Sequence, residues 1–249
     1  TRTPSSAASD VYKRQSKNAA LPILAATLLF DKNVTIKNLP RVKDIDTMLN
    51  LLKSLGRKIS FKNNKKIATI SKGKKNNFFA PYSLVKTMRA GILVLGPLLA
   101  KNKKAKVSSP GGCSIGVRPI DIHLKAISKL GVKIKIEKGY VNATAQEGLV
   151  GSEIRFSKIS VGATENSILA ACLAKGTTTI KNCAIEPEIK DLTNFLKTAG
   201  AKIKWIGKRT LKIEGVKTLK STTYSIMNDR IEAGTFCVAA CLNLSLIHI

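Results

Sequence analysis

The segment Pro110-Gly111-Gly112-Cys113-Ser114-Ile115-Gly116-Val117-Arg118-Pro119 sets one thiol among three glycines, with a guanidinium five residues on. Small neighbours leave such a sulfur reachable, and the loop can close over a ligand. Reactivity belongs to the thiolate, which Arg118 and nearby backbone N–H groups favour by lowering the thiol pKa. Cys113 is therefore the candidate nucleophile or proton donor, against the alternative of an incidental cysteine in a surface turn. Cys172, Cys237 and Cys241 sit in apolar stretches rich in small residues and are expected in the core. Cys183 is open.

Cations recur where apolar helices begin. Arg89 lies in Thr87-Met88-Arg89-Ala90-Gly91, ahead of a buried helix where an unpaired charge is costly. An anionic ligand would resolve that cost, as would solvation at the helix start. Lys17 and Asn18 precede the apolar run of residues 19–30, whose first backbone donors favour an anion. Lys158-Ile159-Ser160-Val161-Gly162-Ala163-Thr164 leaves a strand and enters a third such helix. The three entrances are expected to converge on one site. Glu186, Glu188, Asp229 and Glu232 could act as bases, but salt bridges between units suit them better. His123 either binds a ligand or is an ordinary helix surface residue.

The elements that must hold these residues repeat. Leu51-Leu52-Lys53-Ser54-Leu55-Gly56-Arg57-Lys58-Ile59, Ile127-Ser128-Lys129-Leu130-Gly131-Val132-Lys133-Ile134 and Phe195-Leu196-Lys197-Thr198-Ala199-Gly200-Ala201-Lys202-Ile203 each close a helix on a glycine and start a strand. The glycines recur about every 70 residues, and each occupies the position a left-handed helix C-terminus prefers. Interleaved are small-residue apolar helices at residues 21–30, 92–100 and 168–174, followed by strands such as Val34-Thr35-Ile36 and Thr178-Thr179-Ile180. Each unit thus reads helix, strand, loop, helix, strand, strand, with the first helix buried all round and the second amphipathic. The expected fold is α/β, three helix-sheet units forming one domain over residues 16–228. The second unit is longer than its sisters between its first strand and second helix, and the extra residues are the Cys113 loop. An insertion in one copy of a repeat points to function. A fourth copy begins near Asp229, so residues 229–242 are expected to start a second domain. Residues 1–15 and 243–249 lack the repeat pattern and are expected to be non-native tails on a fragment.

With 249 residues and 44% apolar content, the chain can bury a core. Its net charge of +28 suggests nucleic acid, yet 34 lysines against 9 arginines are spread along the whole chain and aromatics make up only 5%. A lysine-rich surface is the reading adopted, with a basic nucleic-acid-binding module as the competing class. The longest apolar run, residues 90–100, is about half a membrane span and holds Gly96 and Pro97. Without a secretory leader pattern, a cytoplasmic location is expected. Five cysteines, none in a Cys-x-x-Cys pair, and two histidines suggest neither a disulfide framework nor a metal or cofactor site.

Ser16-Lys17-Asn18-Ala19-Ala20-Leu21-Pro22, Met88-Arg89-Ala90, the Cys113 loop and Glu186-Pro187-Glu188-Ile189 together resemble the UDP-N-acetylglucosamine enolpyruvyl transferases of peptidoglycan synthesis. The resemblance runs nearly continuously over residues 16–242; the sister family acting on shikimate phosphate lacks this cysteine loop. The resemblance implies an inside-out α/β barrel and, as partners, phosphoenolpyruvate and UDP-N-acetylglucosamine, without a cofactor. By the same resemblance Cys113 protonates the phosphoenolpyruvate methylene and is alkylated by fosfomycin. Lys17, Asn18 and Arg118 would contact phosphoenolpyruvate. Arg89, Arg118, Pro119, Ile120, Asp121 and Ile122 would hold the nucleotide sugar, with Lys158, Ile159, Ser160 and Val161 around its diphosphate. The family's second domain is almost wholly missing from the chain, so the chain alone is expected to be inactive.

Overall fold

A computed structural model describes residues 15–86, 88–109 and 120–242. Three helical segments form its interior. Helix α1 (Lys17–Ala26), prolonged by a 3-10 turn at Thr27–Leu29, is buried continuously from residue 19 to residue 30. Alanine, leucine and isoleucine on every side let it pack all round rather than along one stripe. The second unit reaches the same position by a different route. That unit opens on a strand and a helical turn, then a 3-10 segment at Arg89–Val94 continues into a helix at Leu95–Asn102.

In chain order the remaining helices are α2 (Lys43–Ser54), α3 (Tyr82–Val85), α4 (Leu95–Asn102), α5 (Asp121–Ser128), α6 (Val161–Ala171), α7 (Pro187–Thr198) and α8 (Arg230–Leu242). Helix α6 is the third interior helix, buried throughout residues 163–171. Helices α2, α5 and α7 are amphipathic; α2 buries Ile45, Met48, Leu49, Leu51 and Leu52 and leaves its lysines outside. After these three helices, Gly56, Gly131 and Gly200 take φ of 93, 86 and 93°, the left-handed geometry expected of their positions.

Each unit builds a four-stranded sheet. The first contains β1 (Val34–Lys37), β2 (Arg57–Lys62) and β3 (Ile67–Lys72); the second β4 (Phe79–Ala80), β5 (Lys104–Ser108), β6 (Lys133–Glu137) and β7 (Tyr140–Thr144); the third β8 (Glu153–Arg155), β9 (Thr177–Lys181), β10 (Lys202–Gly207) and β11 (Thr210–Glu214). Strand orders are β4-β5-β7-β6 and β8-β9-β11-β10, and the first sheet follows the same plan with β12 (Thr222–Ser225) in the leading place. That leading strand pairs parallel to its neighbour, Val34 opposite Thr222 in the first sheet. The sequence pattern foresees three strands per unit and misses this fourth one. Two to four residues are too few to show an alternation. The chain thereby closes its first sheet with residues from its far end. Among the described residues the three sheets remain separate, so helices lie inside and sheets outside without a closed hydrogen-bonded barrel.

One apolar core joins all units. Phe30, Phe195 and Tyr224 stack in series, with centroid separations of 5.6 and 5.5 Å, and Tyr224 Oη donates to Asp191 Oδ1 at 2.7 Å. Cys172 and Cys183 belong to the interior. Cys237 and Cys241 do not: both are exposed, correcting the core assignment, because α8 also shows Ile231, Phe236 and Val238 to solvent. A helix of the right composition is buried only where another element covers it.

Arg57 ties the end of the first interior helix to β2. Its guanidinium donates to the carbonyls of Leu28 and Phe30, orphan acceptors of a helix end. Asp31 next to it receives Lys72 at 2.8 Å and Lys101 at 2.6 Å, and these hydrogen bonds hold its carboxyl down to about 2. Replacing Arg57 by Met strips two buried carbonyls of their donors, and a loss of about 2 kcal/mol in urea unfolding is expected. An unchanged unfolding midpoint would contradict this role.

Candidate functional site

The interior helices start at one end of the domain, and a cavity of about 410 Å³ opens there. Asn18 reaches it from the first turn of α1, Arg89 from the start of the 3-10 segment, and Ser160, Val161 and Gly162 from the start of α6. The expected convergence of three helix entrances is thus realised. Ser16 and Ser160 fix two of them as N-caps, accepting from the N–H groups of Ala19 (3.2 Å) and Ala163 (3.3 Å). The other first-turn donors and the helix dipoles favour negative charge at this end. Arg89, expected to need rescue from burial, is instead exposed at the cavity's edge.

Carboxylates line the same cavity. Glu188 is buried and receives Arg230 through two parallel bonds, Nε to Oε1 at 3.0 Å and the second guanidinium nitrogen to Oε2 at 3.1 Å. This charge-assisted fork holds the Arg230 pKa up, and it links α7 to α8 as the salt-bridge reading anticipated. Glu165 is 5% exposed; burial first, then the charges of Glu188 and Glu186, pushes its pKa up to about 8. Glu165 is therefore held protonated near neutrality, available as a donor. Glu186 Oε2 is buried without a hydrogen-bond partner among the described residues.

His123 is not a surface residue. It is 3% exposed, and its imidazole lies against Gly162, where an added Cβ would come within 3.0 Å of Cε1 and 3.2 Å of Nε2. Burial, followed by the charge of Arg89, brings its pKa down to about 4, so the ring is neutral at physiological pH.

Not every expected site residue arrives. Lys17 points away from the cavity to Asp44 Oδ2 at 2.9 Å and borders a separate groove with Arg41 and Asp229. Ile120 and Ile122 pack on the core, while Asp121, Lys158 and Ile159 are exposed; none of these five lines the cavity. Cys113, Arg118 and Pro119 lie outside the described residues. Two residues of α6 escaped the sequence reading, Glu165 on the cavity and Asn166 buried behind it, though adjacent polar residues inside so apolar a helix were a usable signal.

Residues 7–249 match the family described as EPSP synthase (3-phosphoshikimate 1-carboxyvinyltransferase). The UDP-N-acetylglucosamine 1-carboxyvinyltransferase of Pelagibacter ubique (strain HTCC1062) is 67% identical over 227 residues, 91% of this chain and 54% of the relative. That of Psychrobacter sp. (strain PRwf-1) is 49% identical over 235 residues, 94% and 54%. Among solved structures, the enolpyruvyl transferase NikO from Streptomyces tendae superimposes with a TM-score of 0.80 at 22% identity, covering 91% of this chain and 53% of that one. EPSP synthase from Acinetobacter baumannii gives a TM-score of 0.73 at 20% identity, 91% and 51%. The likenesses to solved structures establish the shared fold, and the chain spans about half the length of the curated relatives it matches.

Proposed function

The chain belongs to the EPSP synthase (3-phosphoshikimate 1-carboxyvinyltransferase) family, and from its likeness to the UDP-N-acetylglucosamine 1-carboxyvinyltransferases we propose that it forms the cysteine-bearing half of a UDP-N-acetylglucosamine enolpyruvyl transferase. In this reading the sugar 3-hydroxyl gives up its proton to a base as its oxygen bonds to C2 of phosphoenolpyruvate, while C3 accepts a proton. Loss of a C3 proton and of phosphate from C2 then leaves the enolpyruvyl ether. Cys113 would deliver the proton to C3, Arg118 would pair with the anionic end of phosphoenolpyruvate, and Asn18 would hydrogen-bond to it. Arg89 and the first turn of α6 at Ser160 and Val161 would face the nucleotide sugar. Lys17 enters only if its bond to Asp44 breaks, and Pro119, Ile120, Asp121, Ile122, Lys158 and Ile159 would act from the cavity's surroundings.

The observation that supports this most is the meeting of three helix N-termini with Arg89 and neutral His123 on one cavity, where donors at the helix entrances suit an anionic group and the carboxyls of Glu165, Glu186 and Glu188 suit polar hydroxyls of the same ligand. Ile120 leads directly into α5, which carries His123 into that cavity. The uncovered apolar side chains of α8, Ile231, Phe236 and Val238, suit the start of a second domain at residues 229–242 that would close the cleft. Such an enzyme serves peptidoglycan synthesis in the cytoplasm, and the chain by itself is expected not to turn over.

Alkylation tests the proposal. Fosfomycin's epoxide, opened by the Cys113 thiolate, would add its whole mass through a new C–S bond with no leaving group. Peptide mapping should find the adduct on Cys113, formed faster with UDP-N-acetylglucosamine present and absent in Cys113→Ala. Mapping matters because Cys237 and Cys241 are also exposed. Labelling confined to those two, or unaffected by the nucleotide sugar, overturns the proposal.

A further inference from the structure

Asn166 is fully buried where α6 crosses the junction between the 3-10 segment and α4. Its Oδ1 accepts the Gly96 N–H at 2.8 Å, and its Nδ2 donates to the Ile92 carbonyl at 3.1 Å. A backbone N–H can only donate and a carbonyl can only accept, so these two bonds fix which end of the amide is oxygen and which nitrogen. The second hydrogen of Nδ2 remains, and His123 Nδ1 stands 3.4 Å from that nitrogen. An Nδ1–H there would set donor against donor. Nδ1 must accept, and in a neutral ring the proton then resides on Nε2, at the edge next to Gly162.

We infer that Asn166 is a positioning residue: by fixing its amide between Gly96 and Ile92 it locks His123 in the Nε2–H form, so the cavity is offered a hydrogen-bond donor rather than an acceptor or a cation. Resting on the proposed nucleotide-sugar reading, that donor serves an anionic or carbonyl oxygen of the ligand. Among the described residues the charges of Arg89 and Asp121 act on His123, through space and without setting the tautomer. The arrangement also ties the proton's location to the fold, since Asn166 cannot turn over without breaking both backbone bonds.

The chain has only two histidines, His123 and His248, so long-range ¹H–¹⁵N correlation spectra resolve the tautomer directly, with His248→Gln giving the assignment. At pH 7 wild type should show protonated Nε2 and bare Nδ1 at His123. Asn166→Ala should populate the Nδ1–H form. Asn166→Asp, which can only accept, should shift the ring toward Nδ1–H. UDP-N-acetylglucosamine affinity by calorimetry should fall about tenfold in Asn166→Ala, the equivalent of one hydrogen bond, and in His123→Asn. His123→Gln, whose amide can place an N–H near the Nε2 position, should rescue binding to within about threefold. An Nδ1–H wild type, or a tautomer indifferent to Asn166, overturns the inference whatever the ligand does, and wild type alone decides if the variants misfold. The expected tautomer with no response to the nucleotide sugar overturns the proposed substrate instead.

Discussion

Gly96→Ala is expected to destabilise the domain by about 3 kcal/mol, the sum of overpacking and a compromised buried hydrogen bond. A Cβ on Gly96 would stand 2.6 Å from both the backbone oxygen and Oδ1 of Asn166, and 3.2 Å from the Ala170 nitrogen. None of these is the free end of a flexible side chain; two are backbone atoms and the third is an amide held by its own bonds. Helices α4 and α6 would have to part, which moves two of the three entrances that frame the cavity. Gly234→Ala in α8 is the matched control, since a Cβ there meets nothing within 4 Å and alanine gains up to about 1 kcal/mol of helix propensity. Urea unfolding of both variants checks the claim. A Gly96→Ala chain within about 0.5 kcal/mol of wild type contradicts the close helix contact.

Glu165→Gln should have the opposite sign at alkaline pH. The folded-state pKa of Glu165 is raised from 4.5 to about 8. Below the lower value both folded and unfolded chains bind the proton, and stability is unaffected by this group. Between the two values the unfolded chain releases its proton and the folded one keeps it, so stability falls as pH climbs and levels off past about 8. Glutamine keeps the shape and removes the titration. The variant should match wild type near pH 4 and exceed it by roughly 4 kcal/mol at pH 8. Asp31 works the other way, stabilising above its ordinary 3.8 and losing that as pH falls toward about 2, so acid unfolding should persist in the variant. Parallel wild-type and variant stability curves from pH 4 to 8 would show that Glu165 is not held neutral by burial.

The repeat was legible because its signals are long and independent: all-round apolar helices, amphipathic partners, and glycines at 56, 131 and 200 that the backbone places in left-handed geometry. The leading strands were not, since β4 has two residues and β12 belongs to the first sheet from the other end of the chain. At the site, a helix start foretells where backbone donors point but not where its side chains go. Lys17 shows this by turning to Asp44 on α2. His123 was ambiguous for a related reason, because α5 is amphipathic and only the packing of α6 against it decides that this position is interior. Composition likewise misplaced Cys237 and Cys241, whose helix has the makeup of a buried one and no cover over these residues. Glu165 and Asn166 carry most of the unexpected chemistry, and their meaning emerges only when α4, α5 and α6 are brought together.

Binding of a nucleotide sugar at the three helix entrances can be read by titrating the isotope-labelled chain with UDP-N-acetylglucosamine. Saturable shifts concentrated at Asn18, Arg89, Ser160, Val161, Gly162 and His123 are predicted, with shikimate 3-phosphate producing weaker and scattered changes. Equal or stronger shifts from shikimate 3-phosphate at these positions, or none from UDP-N-acetylglucosamine at any of the three entrances, would contradict the account.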